Sequence, residues 1–93
     1  MNYYTLRYYL IDDYLSKRVQ FRDDHLNLAL AAQSRGELIL AGALTDPVDE
    51  ALLIFRVENQ STIEEFIKND PYVINGLVKK WEIRNWTVVI GSK

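Results

Sequence analysis

The side chains best suited to chemistry in this sequence of 93 residues are its only histidine and two nearby arginines. Arg18, Arg22 and His25 are spaced so that a helix turning about 100° per residue brings them to one side. An imidazole exchanges protons near neutral pH and serves as an acid or a base. Side chains of this kind need polar partners when they are buried, because burying them unpaired costs several kcal/mol. The three residues therefore mark a candidate functional site.

His25 has two interpretations on the residues alone. Its helical stripe is otherwise apolar and contains Phe21, Leu28 and Ala32. A lone histidine in such a stripe is commonly a hydrogen-bonded core residue. Arg18 and Arg22 lie near the helix start, where long side chains extend along apolar surface and keep their charges in water. A structural and a catalytic His25 both stay open at this point.

The composition excludes several classes of function. The net charge is −2, with 11 basic and 13 acidic residues dispersed along the chain, so there is no concentrated basic footprint for nucleic acid. No apolar run reaches the roughly 18 residues of a membrane-spanning helix, and the first residues do not resemble a signal peptide. The absence of cysteine excludes disulfides and thiolate sites, and a single histidine argues against zinc. We predict a cytoplasmic protein with no cofactor, no metal, and no membrane or nucleic-acid partner.

The helix that carries the candidate site follows a predicted strand. Aromatic and apolar residues over 3–11 favour a pleated strand. A helix is predicted over 16–35, with Ser16 as its cap and Gly36 as its stop. Its apolar arc should pack on a sheet. The predicted members of that arc are Phe21, Leu28, Ala32, Ala29, Leu26, Val19 and Leu30.

The remaining strands are predicted as a hairpin and a final strand. Residues 37–45 and 51–57 are apolar segments separated by turn-forming residues over 46–50. Antiparallel pairing of these two segments is the simplest arrangement for so short a connection. The alternating pattern over 81–90 indicates the last strand.

A second helical region is predicted between the hairpin and the final strand. Ser61 and Glu64 match a capping box, which opens a helix. Pro71 suits the first position of a new short helix, with Asp70 as its cap. Asn75-Gly76 is expected to end that short helix.

This order of elements predicts a single α+β domain over residues 1–93. The arrangement βαββαβ is the ferredoxin-like one, in which two helices cover one face of an antiparallel sheet. The predicted strands are apolar on both faces, unlike those of a half-solvated sheet. A second copy is the economical cover for the other face, so we expect a homodimer formed sheet against sheet.

Three short motifs in this order resemble the YCII-related (YciI-like) family. They are Arg22-x-x-His25-Leu26 on the first helix, Ala41-Gly42-Ala43 on the second strand, and Asp70-Pro71-Tyr72 after the second helix. The resemblance extends over essentially the whole chain. It implies a ferredoxin-like domain that pairs into a dimeric α+β barrel similar to muconolactone isomerases. The loop after Ala43 and the final strand with Trp81 and Trp86 depart from the family pattern, which leaves the pocket shape open.

The resemblance also implies roles for particular residues. His25 and Asp70 become an acid–base dyad of an isomerase, lyase or dehalogenase acting on a small carboxylated or lactone-like molecule. Arg22 and Arg18 are suited to a substrate carboxylate, and Tyr72 and Gly42 are further candidate binding residues. Asp70 is also an ordinary helix cap, and it can be both. Two alternatives stay open: a non-catalytic dimeric module that binds a small ligand or a protein, and a haem protein with a helical histidine as ligand.

Overall fold

A computed structural model of the protein describes residues 1–91. Its strands form one sheet in the order β2-β3-β1-β4, and every neighbouring pair is antiparallel. The strands are β1 (Asn2–Leu10), β2 (Leu38–Ala43), β3 (Glu50–Val57) and β4 (Val78–Trp86). The helices are α1 (Tyr14–Lys17), α2 (Arg22–Ser34), α3 (Ser61–Asn69) and α4 (Pro71–Ile74), with a 3-10 turn over Arg18–Gln20 after α1. The predicted ferredoxin-like α+β fold is confirmed.

The core lies between the helices and one face of the sheet. Every second residue of β1 and β3 is buried, as expected for strands with one covered face. The buried strand residues are Tyr4, Leu6, Tyr8, Leu10, Ala51, Leu53, Phe55 and Val57, and the helices add Ala32, Ile63, Phe66 and Ile67. Full burial of a side chain such as Leu6 contributes about 2 kcal/mol. A shift of one residue in the pairing of β1 with β3 would expose the whole row of buried side chains. The buried face therefore specifies the register of these strands.

The ends of two helices are confirmed where the sequence predicts them. Gly36 follows α2 with a φ of 78°, and Gly76 follows α4 with a φ of 77°, a conformation that glycine adopts without steric cost. Pro71 opens α4, and the Asp70 side chain caps it by accepting the Tyr72 N–H. Asp70 is therefore held at a fixed corner between α3 and α4.

The prediction of one helix over 16–35 is wrong. The chain bends at Phe21 (φ −111°, ψ −3°), whose N–H bonds to the Arg18 carbonyl at 2.9 Å. This bend separates the 3-10 turn from α2, and Phe21 packs against the core there. Ser16 is not a cap: it lies inside α1, where its hydroxyl donates to the Asp13 carbonyl at 3.0 Å.

The predicted apolar arc is confirmed only in part. Ala32 is buried, and Phe21, Leu28 and Ala29 pack against the core. Three predicted members are exposed instead: Val19 by 73%, Leu26 by 39% and Leu30 by 57%. Val19 belongs to the 3-10 turn that precedes α2, so its side chain does not follow the helical periodicity of α2. Leu26 and Leu30 line a groove beside the edge strand β2.

Two other predicted boundaries are wrong. Ser61 is the first residue of α3 rather than its cap, and the Asn59 side chain accepts its N–H at 3.0 Å. The strand predicted over 81–90 lies earlier, at Val78–Trp86, because Trp86 already pairs with Tyr3 near the start of β1. The ends of the other strands lie within two residues of their predicted positions.

The opposite face of the sheet is less completely covered. The residues of β1 and β3 that alternate with the core are half-buried and include Tyr3, Thr5, Tyr9, Leu52 and Ile54. The same face holds an ion pair between Arg7 and Glu50, at 3.3 Å. It is therefore a mixture of apolar and charged residues. Within residues 1–91, no helix has the length and apolar character needed to cross a membrane.

Candidate active site

His25 and Asp70 lie close together although they belong to separate elements, α2 and the junction of α3 with α4. His25 lies in the first turn of α2, where its N–H bonds to the Phe21 carbonyl at 3.0 Å. Asp70 ends α3 and caps α4, and its extended backbone (φ −75°, ψ 118°) is the conformation favoured before a proline. The bend at Phe21 and the break at Pro71 therefore aim the two side chains at each other.

The Asp70 carboxylate accepts three hydrogen bonds. His25 Nδ1 lies 2.8 Å from Asp70 Oδ1, and the backbone N–H of Tyr72 donates to the same oxygen at 3.0 Å. The Tyr8 hydroxyl donates to Oδ2 at 2.8 Å. Asp70 is fully buried, and a buried carboxylate is costly unless donors compensate its lost hydration. These three donors provide that compensation.

This geometry selects one tautomer of His25. An ionised carboxylate only accepts hydrogen bonds, so the bond to Asp70 requires a proton on Nδ1. In the neutral imidazole, Nε2 is then unprotonated and can act as a base. The His25 side chain is 15% exposed, so solvent or a small molecule can reach part of the ring.

Aromatic rings surround the dyad. Tyr72 stacks on His25 with ring centroids 3.8 Å apart and planes 8° from parallel, and Tyr14 meets Tyr72 edge-on at 5.6 Å. The Arg18 guanidinium lies 5.4 Å from the Tyr14 ring centroid. Burial raises the pKa of Tyr72 to about 12, so its hydroxyl stays protonated at neutral pH. Among the described residues, that buried hydroxyl has no hydrogen-bond partner.

The dyad opens on a pocket of about 180 Å³ between α2 and the sheet. Its charged or polar lining residues are His25, Arg18, Arg22 and three tyrosines, Tyr8, Tyr14 and Tyr72. Its apolar wall consists of Leu26, Ala29, Ala41, Gly42, Ala43, Ala51 and Leu53. No carboxylate is among these lining residues. A cavity of roughly 150 Å³ accommodates a benzene ring, so this pocket has the volume for a compound of about one ring.

The residues singled out from the sequence lie around this pocket. The pocket is lined by His25, Arg18, Arg22, Gly42 and Tyr72. Asp70 is hydrogen-bonded to His25. A Cβ on Gly42 would meet no atom within 4 Å, so a larger residue there would take up open space. Asp70 makes both the cap contact with Tyr72 and the bond with His25. The catalytic and binding roles of these residues stay predictions.

Sequence reasoning missed Tyr8 and Tyr14. The alternation along β1 groups Tyr8 with Tyr4, Leu6 and Leu10 on one face, which the structure buries, but it does not distinguish Tyr8 from Tyr4. Its partner Asp70 is 62 residues away in sequence, so no local spacing links the two. Tyr14 falls in a segment that the sequence suggests is a connection, and α1 buries it.

Comparison with known proteins agrees with this fold. A family model described as "YCII-related domain" matches residues 1–87. One similar solved structure is 5-chloro-2-hydroxyhydroquinone dehydrochlorinase (TftG) from Burkholderia phenoliruptrix AC1100, in complex with 2,5-dihydroxybenzoquinone. It has a TM-score of 0.78 and 16% identity, over 91% of this chain and 93% of the other.

Another similar structure is protein Atu4242 from Agrobacterium tumefaciens. Its TM-score is 0.63 at 17% identity, over 99% of this chain and 97% of the other. At such identities these likenesses show a shared fold. No curated protein sequence matches the chain.

Proposed function

Because the chain belongs to the YCII-related domain family, we propose that it is a small enzyme in which His25 and Asp70 form an acid–base dyad. The observation that supports this most strongly is the 2.8 Å contact between His25 Nδ1 and a fully buried Asp70 carboxylate. A partner that holds the proton on Nδ1 leaves Nε2 available as a base. The proposed substrate is a small carboxylated or lactone-like molecule.

The proposed reaction is a proton transfer at carbon. His25 Nε2 takes a proton from a carbon next to a carbonyl, and the C–H electron pair moves into the substrate. In an isomerisation, the imidazolium returns the proton to another carbon. In an elimination, the electron pair forms a double bond and a halide leaves with its bonding electrons. The buried Asp70 carboxylate stabilises the imidazolium that forms in either case.

The pocket lining suggests how such a substrate is held. Arg18 and Arg22 provide guanidinium groups, which suit a carboxylate through paired hydrogen bonds. Tyr72 is a hydroxyl donor beside them, and Gly42 leaves space at the opposite wall. The structural relative from Burkholderia is a dehydrochlorinase that was solved with a dihydroxybenzoquinone, and a quinone of that size suits the volume of this pocket.

The test compares three variants for halide release and isomerisation. The substrates are chlorinated and unchlorinated muconolactones, with 5-chloro-2-hydroxyhydroquinone added because it is the compound in the name of the Burkholderia relative. We expect His25→Gln and Asp70→Asn to reduce turnover by roughly a hundredfold or more, with the folded state retained by circular dichroism. The control is Asn27→Ala, on the exposed side of α2, which should leave activity unchanged. Equal activity in the dyad variants and the control would refute the proposed dyad.

The second candidate function is a non-catalytic module that binds a small ligand. The observation that favours it is that Tyr72 stacks over His25, which leaves only 15% of that side chain exposed. Calorimetric titration with 2,5-dihydroxybenzoquinone separates the two proposals. Binding that depends on Arg18 and Arg22, without turnover of any chlorinated or lactone substrate, would favour the module.

We also propose that the protein is a homodimer formed through the half-buried face of the sheet. The support is the row of half-buried residues opposite the core, which includes Tyr9, Leu52 and Ile54. Sedimentation at micromolar concentration should give about twice the chain mass of 10.9 kDa. Ile54→Arg should dissociate the dimer, because it puts an unpaired charge on the contact, whereas Asn27→Arg should not. A monomeric unmodified protein would refute this arrangement.

A further inference from the structure

Tyr8 connects the centre of the sheet to the dyad. It lies on the inward face of β1, is 1% exposed, and pairs with Ala51 and Trp81 on the neighbouring strands. Its hydroxyl donates to Asp70 Oδ2 at 2.8 Å. The central strand of a hydrogen-bonded sheet is among the most rigid parts of a domain. The Asp70 carboxylate is therefore anchored to one of the two inner strands of the sheet.

The surroundings of Tyr8 keep its hydroxyl protonated beside the Asp70 carboxylate. Burial, and next the negative charge of Asp70, raise the pKa of Tyr8 well above its ordinary value. The hydroxyl is consequently a donor at any physiological pH. Asp70 is fully buried, so water cannot replace Tyr8 at Oδ2 without a rearrangement of the core.

The two carboxylate oxygens have different partners. Oδ2 is bonded to Tyr8, and Oδ1 accepts both His25 Nδ1 and the Tyr72 N–H. If Oδ2 had no donor, only the bonds to Oδ1 would fix the carboxylate, and it could rotate away from His25 Nδ1. The proton on His25 Nδ1 would then be held less strongly.

We propose that Tyr8 is a positioning residue for His25. It holds the orientation of Asp70 in which the His25 proton stays on Nδ1 and the basic nitrogen is Nε2. The effect of Tyr8 on catalysis rests on the proposed function, whereas its effect on the His25 tautomer is a property of the folded protein. The two effects can therefore be refuted separately.

Nitrogen-15 NMR of the imidazole tests this inference directly. His25 is the only histidine, so its ring nitrogens give one unambiguous set of signals. The variant is Tyr8→Phe, and the matched control is Tyr4→Phe, on the same face of β1 and 8% exposed. In the neutral form of the imidazole, the unmodified protein and the control should show Nδ1 protonated and Nε2 unprotonated. Tyr8→Phe should reduce the preference for that tautomer roughly tenfold, the scale of one charge-assisted hydrogen bond.

Several results would overturn the positioning role. One is a His25 spectrum in Tyr8→Phe that matches the Tyr4→Phe spectrum, even if thermal stability falls, because that would make Tyr8 purely structural. If Tyr8→Phe does not fold, the measurement moves to the unmodified protein. A slowly exchanging Tyr8 hydroxyl proton with a nuclear Overhauser effect to the Nδ1 proton of His25 is then expected, and its absence counts against the proposal.

Kinetics separates this inference from the proposed enzyme. Where a substrate is turned over, Tyr8→Phe should lower kcat about tenfold with a smaller change in KM, because the ring that lines the pocket is kept and the hydroxyl that is removed donates to Asp70. An unchanged kcat and pH profile would refute the catalytic consequence. If no substrate is turned over even by the unmodified protein, the enzyme proposal fails, while the NMR comparison still decides the role of Tyr8.

Discussion

Replacing Asp70 by asparagine tests whether the charge of a buried carboxylate holds the site together. The substitution keeps the size and shape of the side chain, and asparagine caps a helix as well as aspartate does. The oxygen of the amide can keep its contacts with His25 and the Tyr72 N–H, while its NH2 group faces the Tyr8 hydroxyl. The substitution removes the negative charge of the Asp70 carboxylate, which accepts three hydrogen bonds in the unmodified protein.

The size of the effect follows from those three bonds. A hydrogen bond to a charged group contributes about 1.5–3 kcal/mol, and a neutral one about 0.5–1.5 kcal/mol. Losing the charge therefore costs about 1 kcal/mol per bond, or about 3 kcal/mol in all. Asparagine also relieves part of the cost of burying a charge. We expect the free energy of unfolding to fall by about 2 kcal/mol.

Urea unfolding at pH 7, followed by tryptophan fluorescence, measures this change from the midpoint and slope. The matched control is Asp13→Asn, because the Asp13 side chain is exposed and, within residues 1–91, forms an ion pair only with Lys17, at 3.7 Å. That surface pair should contribute less than about 0.5 kcal/mol. A double-mutant cycle of Asp70→Asn with Tyr8→Phe should give a coupling of about 1 kcal/mol. An Asp70→Asn loss as small as that of the control would refute the energetic reasoning.

Two further predictions concern Tyr72. Tyr72→Phe removes a buried hydroxyl that has no partner among the described residues, so we expect the free energy of unfolding to stay unchanged or to rise by about 1 kcal/mol. A loss above about 1 kcal/mol in urea unfolding would contradict this. Alkaline pH should destabilise the protein, because the pKa of Tyr72 is about 12 when folded and about 10 when unfolded. The unfolded chain loses its proton first, so stability should fall between pH 10 and 12. Tyr72→Phe should flatten that decline.

Local chemistry accounts for the predictions that were confirmed. Gly36 and Gly76 end helices because their backbones adopt positive φ. Pro71 opens α4 because its missing N–H is not needed there. The alternation of buried and half-buried residues along β1 and β3 reflects burial of one face of a sheet. Each of these features depends on a few neighbouring residues, which is why a sequence pattern is sufficient to predict it.

The wrong predictions concern places where distant residues compete with local preference. The helix over 16–35 is interrupted at Phe21, whose side chain packs against the core formed with the sheet. The last strand ends at Trp86 because β1, its only partner within residues 1–91, begins at Asn2. Neither the core nor the partner strand is visible in the local pattern of residues.

The sequence by itself determined the ferredoxin-like order of elements, the position of His25 on a helix beside two arginines, and the capping role of Asp70. A cytoplasmic location and the absence of a cofactor stay predictions from the sequence. The family resemblance implies the pairing of Asp70 with His25, but only the tertiary structure shows their contact, the bond from Tyr8 to the second carboxylate oxygen, and the stacking of Tyr72 on the imidazole. The physical reason is that hydrogen bonds between side chains 45 and 62 residues apart depend on how the helices dock on the sheet. Local periodicity carries no information about that docking.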